Sequence, residues 1–174
     1  TIFAWELANE PRAMSNYTLL DGWVEEMSAF IKSIDANHLV TTGSEGFYAN
    51  RGEDVLHDGS EGADFMSNHQ HDTIDYASMH MYPDHWGISK QDTLDWLNEH
   101  ITDAQTLNKP LVLGEFGKQG SLREDYMQSW YGILEDNDVA GNMFWQLIDN
   151  AYPWDDGFGV LYPDDITTLE LIQD

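Results

Sequence analysis

The feature that most constrains this chain is a repeat of short apolar runs separated by helical patterns. The runs are Ile2 to Leu7, His38 to Gly43, Asp75 to His80, Pro110 to Glu115 and Gly141 to Leu147, with starts 36, 37, 35 and 31 residues apart. Each is flanked by Gly, Asn or Pro and is apolar on both faces, as strands covered on both sides require. Between them the period changes. Tyr17 to Asp35 sets Leu20, Trp23, Val24, Met27, Phe30, Ile31 and Ile34 at steps of three and four. Ser89 to Leu107 repeats this with Leu94, Leu97, Ile101, Ala104 and Leu107, and Lys109-Pro110 ends it. Ser121 to Asp136 does so with Leu122, Tyr126, Trp130, Ile133 and Leu134, and Ser121 with Glu124 is expected to form a capping box. A brief helical stretch lies near Ala63 to Asn68, and a last helix is expected from about Pro163 to Ile172.

The pattern predicts an α/β fold of parallel strands joined by crossover helices. An open doubly wound sheet and part of a (β/α)8 barrel both fit. The strand ends favour the barrel. All five finish in polar or aromatic groups: Asn9-Glu10, Ser44-Glu45, His80 with Tyr82, Glu115, and Trp145-Gln146. A barrel gathers every strand's carboxyl end at one mouth, whereas an open sheet uses mainly its switch point. A complete barrel takes about 250 residues, and this chain has 174. The reading is therefore a partial TIM barrel, five βα units corresponding to strands 4–8 with the three N-terminal units absent. Residues 1–174 are expected to form one catalytic domain truncated at the N-terminus.

Charge limits the partners. Asp and Glu number 32 against 7 Lys and Arg, a formal net charge of −25. Such a field repels nucleic-acid phosphates and anionic membrane surfaces, so neither is an expected partner. No apolar run approaches the ~20 residues of a membrane span. Cysteine is absent, which removes disulfides, thiolate metal sites and thiol nucleophiles.

Two glutamates close two strands, Glu10 in Trp-Glu-Leu-Ala-Asn-Glu-Pro-Arg and Glu115 in Leu-Val-Leu-Gly-Glu-Phe-Gly. They lie three repeat units apart, on strands that would face each other across a barrel mouth. Glycoside hydrolysis needs such a pair: one carboxyl to protonate the leaving oxygen, another to attack or to activate water. Asn9 and Glu10 are neighbours, so both can serve one site only if the strand ends or bulges there, and Pro11 favours an ending.

These words resemble a family. Trp5 to Arg12 is similar to the strand-four motif of glycoside hydrolase family 5, Gly114-Glu115-Phe116-Gly117 to its strand-seven motif, His80-Met81-Tyr82-Pro83 to strand six and Phe144-Trp145-Gln146 to strand eight. Within that family the wording looks most like the endo-β-1,4-mannanases, and it spans essentially the whole chain. The resemblance implies a retaining enzyme that cleaves mannan, glucomannan or galactomannan by double displacement, with no cofactor and outside the cell. A non-catalytic polysaccharide-binding half-barrel and a cellulase of the same family are the alternatives. It implies that Glu10 is the general acid/base and Glu115 the nucleophile. Asn9 would bond the sugar 2-hydroxyl, Tyr82 would donate to Glu115, and His80 would contact substrate or a carboxylate. Trp145 would be the stacking floor. Glu45, Trp86, His85 and Trp154 are further cleft candidates in loops after strands. The family's arginine near the nucleophile has no counterpart here.

His69-Gln70-His71 could hold a metal by type, but no third ligand stands at a suitable spacing, and Asp155-Asp156-Gly157 is only part of a calcium loop, so no metal is expected. If the 174 residues are the whole folded molecule, the edge strands Ile2 to Leu7 and Gly141 to Leu147 lack neighbours, which predicts a two-fold homodimer.

Overall fold

The computed structural model describes residues 2–151 and 154–173. In order the elements are β1 (Ala4–Glu6), α1 (Tyr17–Ile34), β2 (Leu39–Thr41), α2 (Phe65–His69), β3 (Ala77–Met81), α3 (Pro83–Trp86), α4 (Lys90–Leu107), β4 (Leu111–Phe116), a 3-10 turn (Gly120–Leu122), α5 (Arg123–Asp136), β5 (Gly141–Phe144), β6 (Leu147–Asp149), β7 (Val160–Tyr162) and α6 (Ile166–Gln173). β1 pairs with β2 and β6 with β7, both in parallel, and β3, β4 and β5 follow one another in a sheet. The alternation read from the sequence is present. The strand count is not the expected five. The run Gly141 to Leu147 divides into β5 and the start of β6, and β7 adds a three-residue strand too short to leave a period. The chain folds as two compact units, residues 1–80 with 100–112, and residues 81–99 with 113–174.

In the first unit, β2 sets the frame. Trp5 stands opposite Val40 and Glu6 opposite Thr41. The ladder continues past the regular strand, with the Leu7 amide donating to Thr41 O (3.0 Å) and the Glu10 amide to Gly43 O (2.8 Å). On its other side β2 receives the Asp75 amide at Val40 O (2.8 Å), and Glu45 O receives the His80 amide (3.0 Å). Helix α1 starts where the Asn16 side chain accepts the Leu19 amide at 3.2 Å, satisfying an otherwise orphaned donor. It buries Leu20, Val24 and Ser28. Val24 and Val40 are wholly enclosed, each contributing about 1.5–3 kcal/mol by burial. Tyr48, Phe65 and the His100 ring pack at centroid distances of 4.5 to 5.8 Å.

The second unit is built on aromatic packing. Trp130 of α5 is fully buried, meets Phe116 of β4 edge-on at 5.9 Å, and donates its indole N–H to Thr93 Oγ1 at 2.8 Å. Trp96, Leu97, Leu113 and Met127 complete this core. The expected capping box at Ser121 does not form. The cap position of α5 falls to Leu122 without a side-chain bond, and Glu124 instead accepts the Thr168 hydroxyl at 2.7 Å. The 3-10 turn takes up Ser121 and shifts the helix start by two residues.

Candidate active site

Glu10 lies beyond the end of β1, as the neighbouring Asn9 and Glu10 require. Its backbone is in the left-handed region, φ 49°. That conformation costs a non-glycine residue about 1–3 kcal/mol and persists only where the surroundings fix it. Two bonds do so: the amide to Gly43 O, and Oε1 to His80 Nδ1 at 2.9 Å. Gly43, itself at φ 73°, lets the chains approach, because a Cβ there would sit 2.1 Å from Ala8 O. His80 is 2 % exposed and is the last residue but one of β3. Asn9 is exposed beside Glu10.

Glu45, a cleft candidate of the sequence, is paired with Arg12. It is 3 % exposed and both carboxylate oxygens are bound by Arg12, Nε to Oε2 at 2.7 Å and Nη2 to Oε1 at 2.6 Å. Burial pushes its carboxyl above the ordinary value, the Arg12 hydrogen bond opposes this, and the charge on Glu10 adds to it. Arg12 also reaches Glu61 at 2.5 Å and lies over the Phe47 ring. Those carboxylates in turn raise its own pKa, the Glu45 bond most.

Glu115 sits near the end of β4, in regular strand. The Tyr82 hydroxyl donates to its Oε2 at 2.7 Å. Tyr82 is the residue before Pro83, which opens α3, and its ring is fixed edge-on by the buried Phe158 (5.1 Å). His85 packs on the same two rings. Trp145 is 40 % exposed, and its indole N–H donates to Asp156 Oδ2 at 2.7 Å. Burial would raise the Asp156 carboxyl, but the bonds from Trp145 and the Phe158 amide hold it below the ordinary value. Trp86 leans edge-on against the buried Trp96 at 5.6 Å, and Trp154 is 75 % exposed.

The residues weighed as metal ligands are engaged elsewhere. His69 is fully buried. Its Nδ1 donates to Phe65 O (2.8 Å), and its Nε2 accepts from Thr42 Oγ1 (2.8 Å) and the Ser78 amide. Burial lowers its pKa to about 3, so the ring is neutral. His71 faces Asp21 at 2.8 Å. Asp155 and Asp156 accept amides of their own loop, at Gly157, Gly159 and Phe158. Among the described residues no helix is long and apolar enough to cross a membrane.

Arg12, Phe158 and Asp156 support these side chains; the sequence marked Asp156 only as part of a calcium-like loop and gave Arg12 and Phe158 no site role. Arg12 carried a signal: a rare cation in a chain with 7 Lys and Arg, two residues after Glu10. Phe158 and Asp156 lie in a loop with no periodic pattern.

Known proteins agree with the motif reading. Residues 1–136 match the family model described as GH family 5 beta-mannosidase-like. Mannan endo-1,4-beta-mannosidase 1 of Solanum lycopersicum is 38% identical over 196 residues, covering 100% of this chain and 49% of its own length. Mannan endo-1,4-beta-mannosidase 8 of Oryza sativa subsp. japonica is 38% identical, with 99% and 54% covered. The chain thus spans about half the length of the curated relatives it matches. Among solved structures, the endo-beta-1,4-mannanase from Thermotoga petrophila superimposes with TM-score 0.89 at 35% identity, covering 99% of this chain and 43% of that one. The endo-1,4-beta-mannanase from Rhizomucor miehei gives 0.87 at 32%, with 100% and 54% covered. Strand-end glutamates with their own hydrogen-bond partners, the matching family model and these relatives lead to one conclusion: the chain belongs to glycoside hydrolase family 5, in its beta-mannosidase-like group.

Proposed function

We propose that this chain carries the catalytic carboxylates of an endo-acting, retaining β-1,4-mannanase that cleaves mannan, glucomannan and galactomannan. In this reading it supplies the five C-terminal units of a (β/α)8 barrel. The observation that supports it best is that each strand-end glutamate has a dedicated partner, His80 for Glu10 and Tyr82 for Glu115. Glu115 attacks the anomeric carbon while Glu10 gives its proton to the departing glycosidic oxygen. Glu10, now a carboxylate, then takes a proton from water, which displaces Glu115 and leaves the anomeric configuration unchanged. Asn9 bonds the 2-hydroxyl next to the nucleophile, where contacts strengthen in the transition state. Trp145 receives the apolar face of a mannose ring, and Trp86 lines a neighbouring subsite. Carboxylates and water suffice for this chemistry, so it calls for no cofactor. A polymeric wall substrate sets the reaction outside the cell.

The test is turnover of mannan by the full chain, with the anomer of the first product read by NMR. Retention is expected, with carboxymethyl-cellulose cleaved far more slowly. Glu10→Ala and Glu115→Ala should both lose turnover while remaining folded. On an activated aryl β-mannobioside, whose leaving group needs no proton, azide should rescue Glu115→Ala with inversion and Glu10→Ala with retention, because the small anion replaces a nucleophile in one and bypasses the missing base in the other. Full activity in either variant overturns the assignment.

A further inference from the structure

We propose that Gln119, held by Asp84, is a positioning residue that sets the plane of the Trp145 indole relative to Glu115. This rests on the reading of Trp145 as the surface that receives a mannose ring. Trp145 is held at two points. Its backbone amide donates to Phe116 O at 2.8 Å, next to Glu115. Its indole N–H donates to Asp156 Oδ2 at 2.7 Å. A backbone bond alone leaves the side-chain torsions free, so the second tie decides where the ring lies. Asp156 is exposed and in a loop, and that loop is anchored. Its Oδ1 accepts the Phe158 amide at 3.0 Å, which fixes the carboxylate on its own loop. Gln119 Nε2 donates to Asp156 O at 2.8 Å, which fixes the loop on the turn after β4. Gly157 makes room for that amide: it stands at φ 91°, and a Cβ there would lie 2.9 Å from Gln119 Nε2. Gln119 is fixed in turn. Its backbone amide donates to Asp84 Oδ2 at 2.8 Å, and the other Asp84 oxygen pairs with Lys118. Both ends of Trp145 are therefore registered to residues 116–119, which directly follow Glu115.

These bonds are poorly suited to a purely structural role. Asp84 and Asp156 are exposed, and Gln119 is half-buried. Hydrogen bonds and ion pairs between such groups add little to stability, because water competes for both partners. Apolar anchoring of the loop comes from the buried Phe158, two residues after Asp156. What burial of a ring does not supply is direction, since the hydrophobic effect is not directional. An amide donating to a carbonyl does supply it, and so fixes the peptide plane that carries the Asp156 carboxylate. A sugar face laid on an indole depends on the plane and offset of the ring. The arrangement of Gln119 therefore acts on how substrate is seated against the nucleophile.

Three variants separate positioning from plain stability. Gln119→Leu keeps the bulk and loses the amide. Gln119→Glu keeps the shape and sets an acceptor against Asp156 O. Asp84→Ala releases the Gln119 backbone. The two Gln119 variants should melt near the parent and raise KM on mannan several-fold, with kcat nearly unchanged. The readout that a structural role would not move is the NMR signal of the Trp145 indole N–H, assigned as the one missing in Trp145→Phe. It should shift in all three variants in the direction seen in Asp156→Ala. The Trp130 indole N–H, bonded to Thr93 in the same unit, should stay in place. A mutant cycle locates the route. In a Trp145→Ala background, Gln119→Leu should raise KM no further, because residues that act through one another are not additive. An unmoved Trp145 signal, an equal shift at Trp130, or an additive loss with Trp145→Ala would overturn the proposal. A parent chain inert on mannan would sink the mannanase reading, and the two indole signals would still decide whether Gln119 positions the ring.

Discussion

The two units hold their glutamates in different ways. In the first, Glu10 stands on strained backbone beyond a strand and meets a buried imidazole, with an arginine–carboxylate pair two residues away. In the second, Glu115 stands in regular strand and accepts a phenol set by the apolar face of Phe158. The difference follows the two tasks. In the proposed mechanism, the group that gives and retakes a proton is held by a buried imidazole nitrogen. In the same reading, the group that attacks is held by a phenol hydroxyl that donates to it. The polar arrangement depends on charges and bond directions, the aromatic one on shape and volume, so the two should fail under different insults.

The largest contrast should come from volume. Phe158→Ala removes a buried ring and should cost about 3–5 kcal/mol of stability, read as a lowered melting temperature. Amides of β4 and α5 should lose hydrogen-exchange protection before those of β1 and β2. Equal loss in both units would break the contrast.

Acid should strike the other unit first. His69 is held neutral with its pKa at about 3, against about 6.5 unfolded. Between those values the unfolded chain binds the extra proton, so this contribution to stability is present above pH 6.5 and is lost as pH falls towards 3. The urea midpoint should drop from pH 7 to pH 4, and His69→Gln should flatten that slope. An unchanged slope would show that this histidine does not set the acid response.

Smaller effects test the partners. His80→Ala should lower kcat on mannan by about 100-fold and change its pH profile, since the proposed acid/base group loses its hydrogen-bond partner. Tyr82→Phe removes one hydrogen bond to a carboxylate, about 1.5 kcal/mol, and should lower kcat about tenfold without altering the profile. A changed profile in Tyr82→Phe would erase the distinction between the two partners. Smallest is Asp156→Ala. It frees the Trp145 indole N–H, about 1 kcal/mol, and should raise KM several-fold with kcat nearly unchanged. A fall in kcat alone would show that Trp145 does more than bind.

The sequence by itself determined the alternation of strands and helices, because burial on one face prints a period on the chain. α1 begins at Tyr17 as that period requires, and β4 covers Leu111–Phe116 as the apolar run requires. It also singled out Glu10, Glu115, His80 and Tyr82, since the motif words keep the reacting residues next to strand ends. It did not determine pairings that join distant residues. Arg12 meets Glu45 across 33 positions, and the Tyr82–Glu115 bond, also across 33, was implied only by the family resemblance and not by the residues themselves. Nothing in Glu45 itself marks it as buried. Only tertiary structure made that acid the partner of Arg12, because burial and charge pairing are properties of the surroundings. The same holds for the capping box. Ser121 and Glu124 have the right spacing, but the local bond lost to Thr168, which the fold brings to Glu124 from α6. Local patterns fix what each segment can become, and long-range contacts choose among its partners.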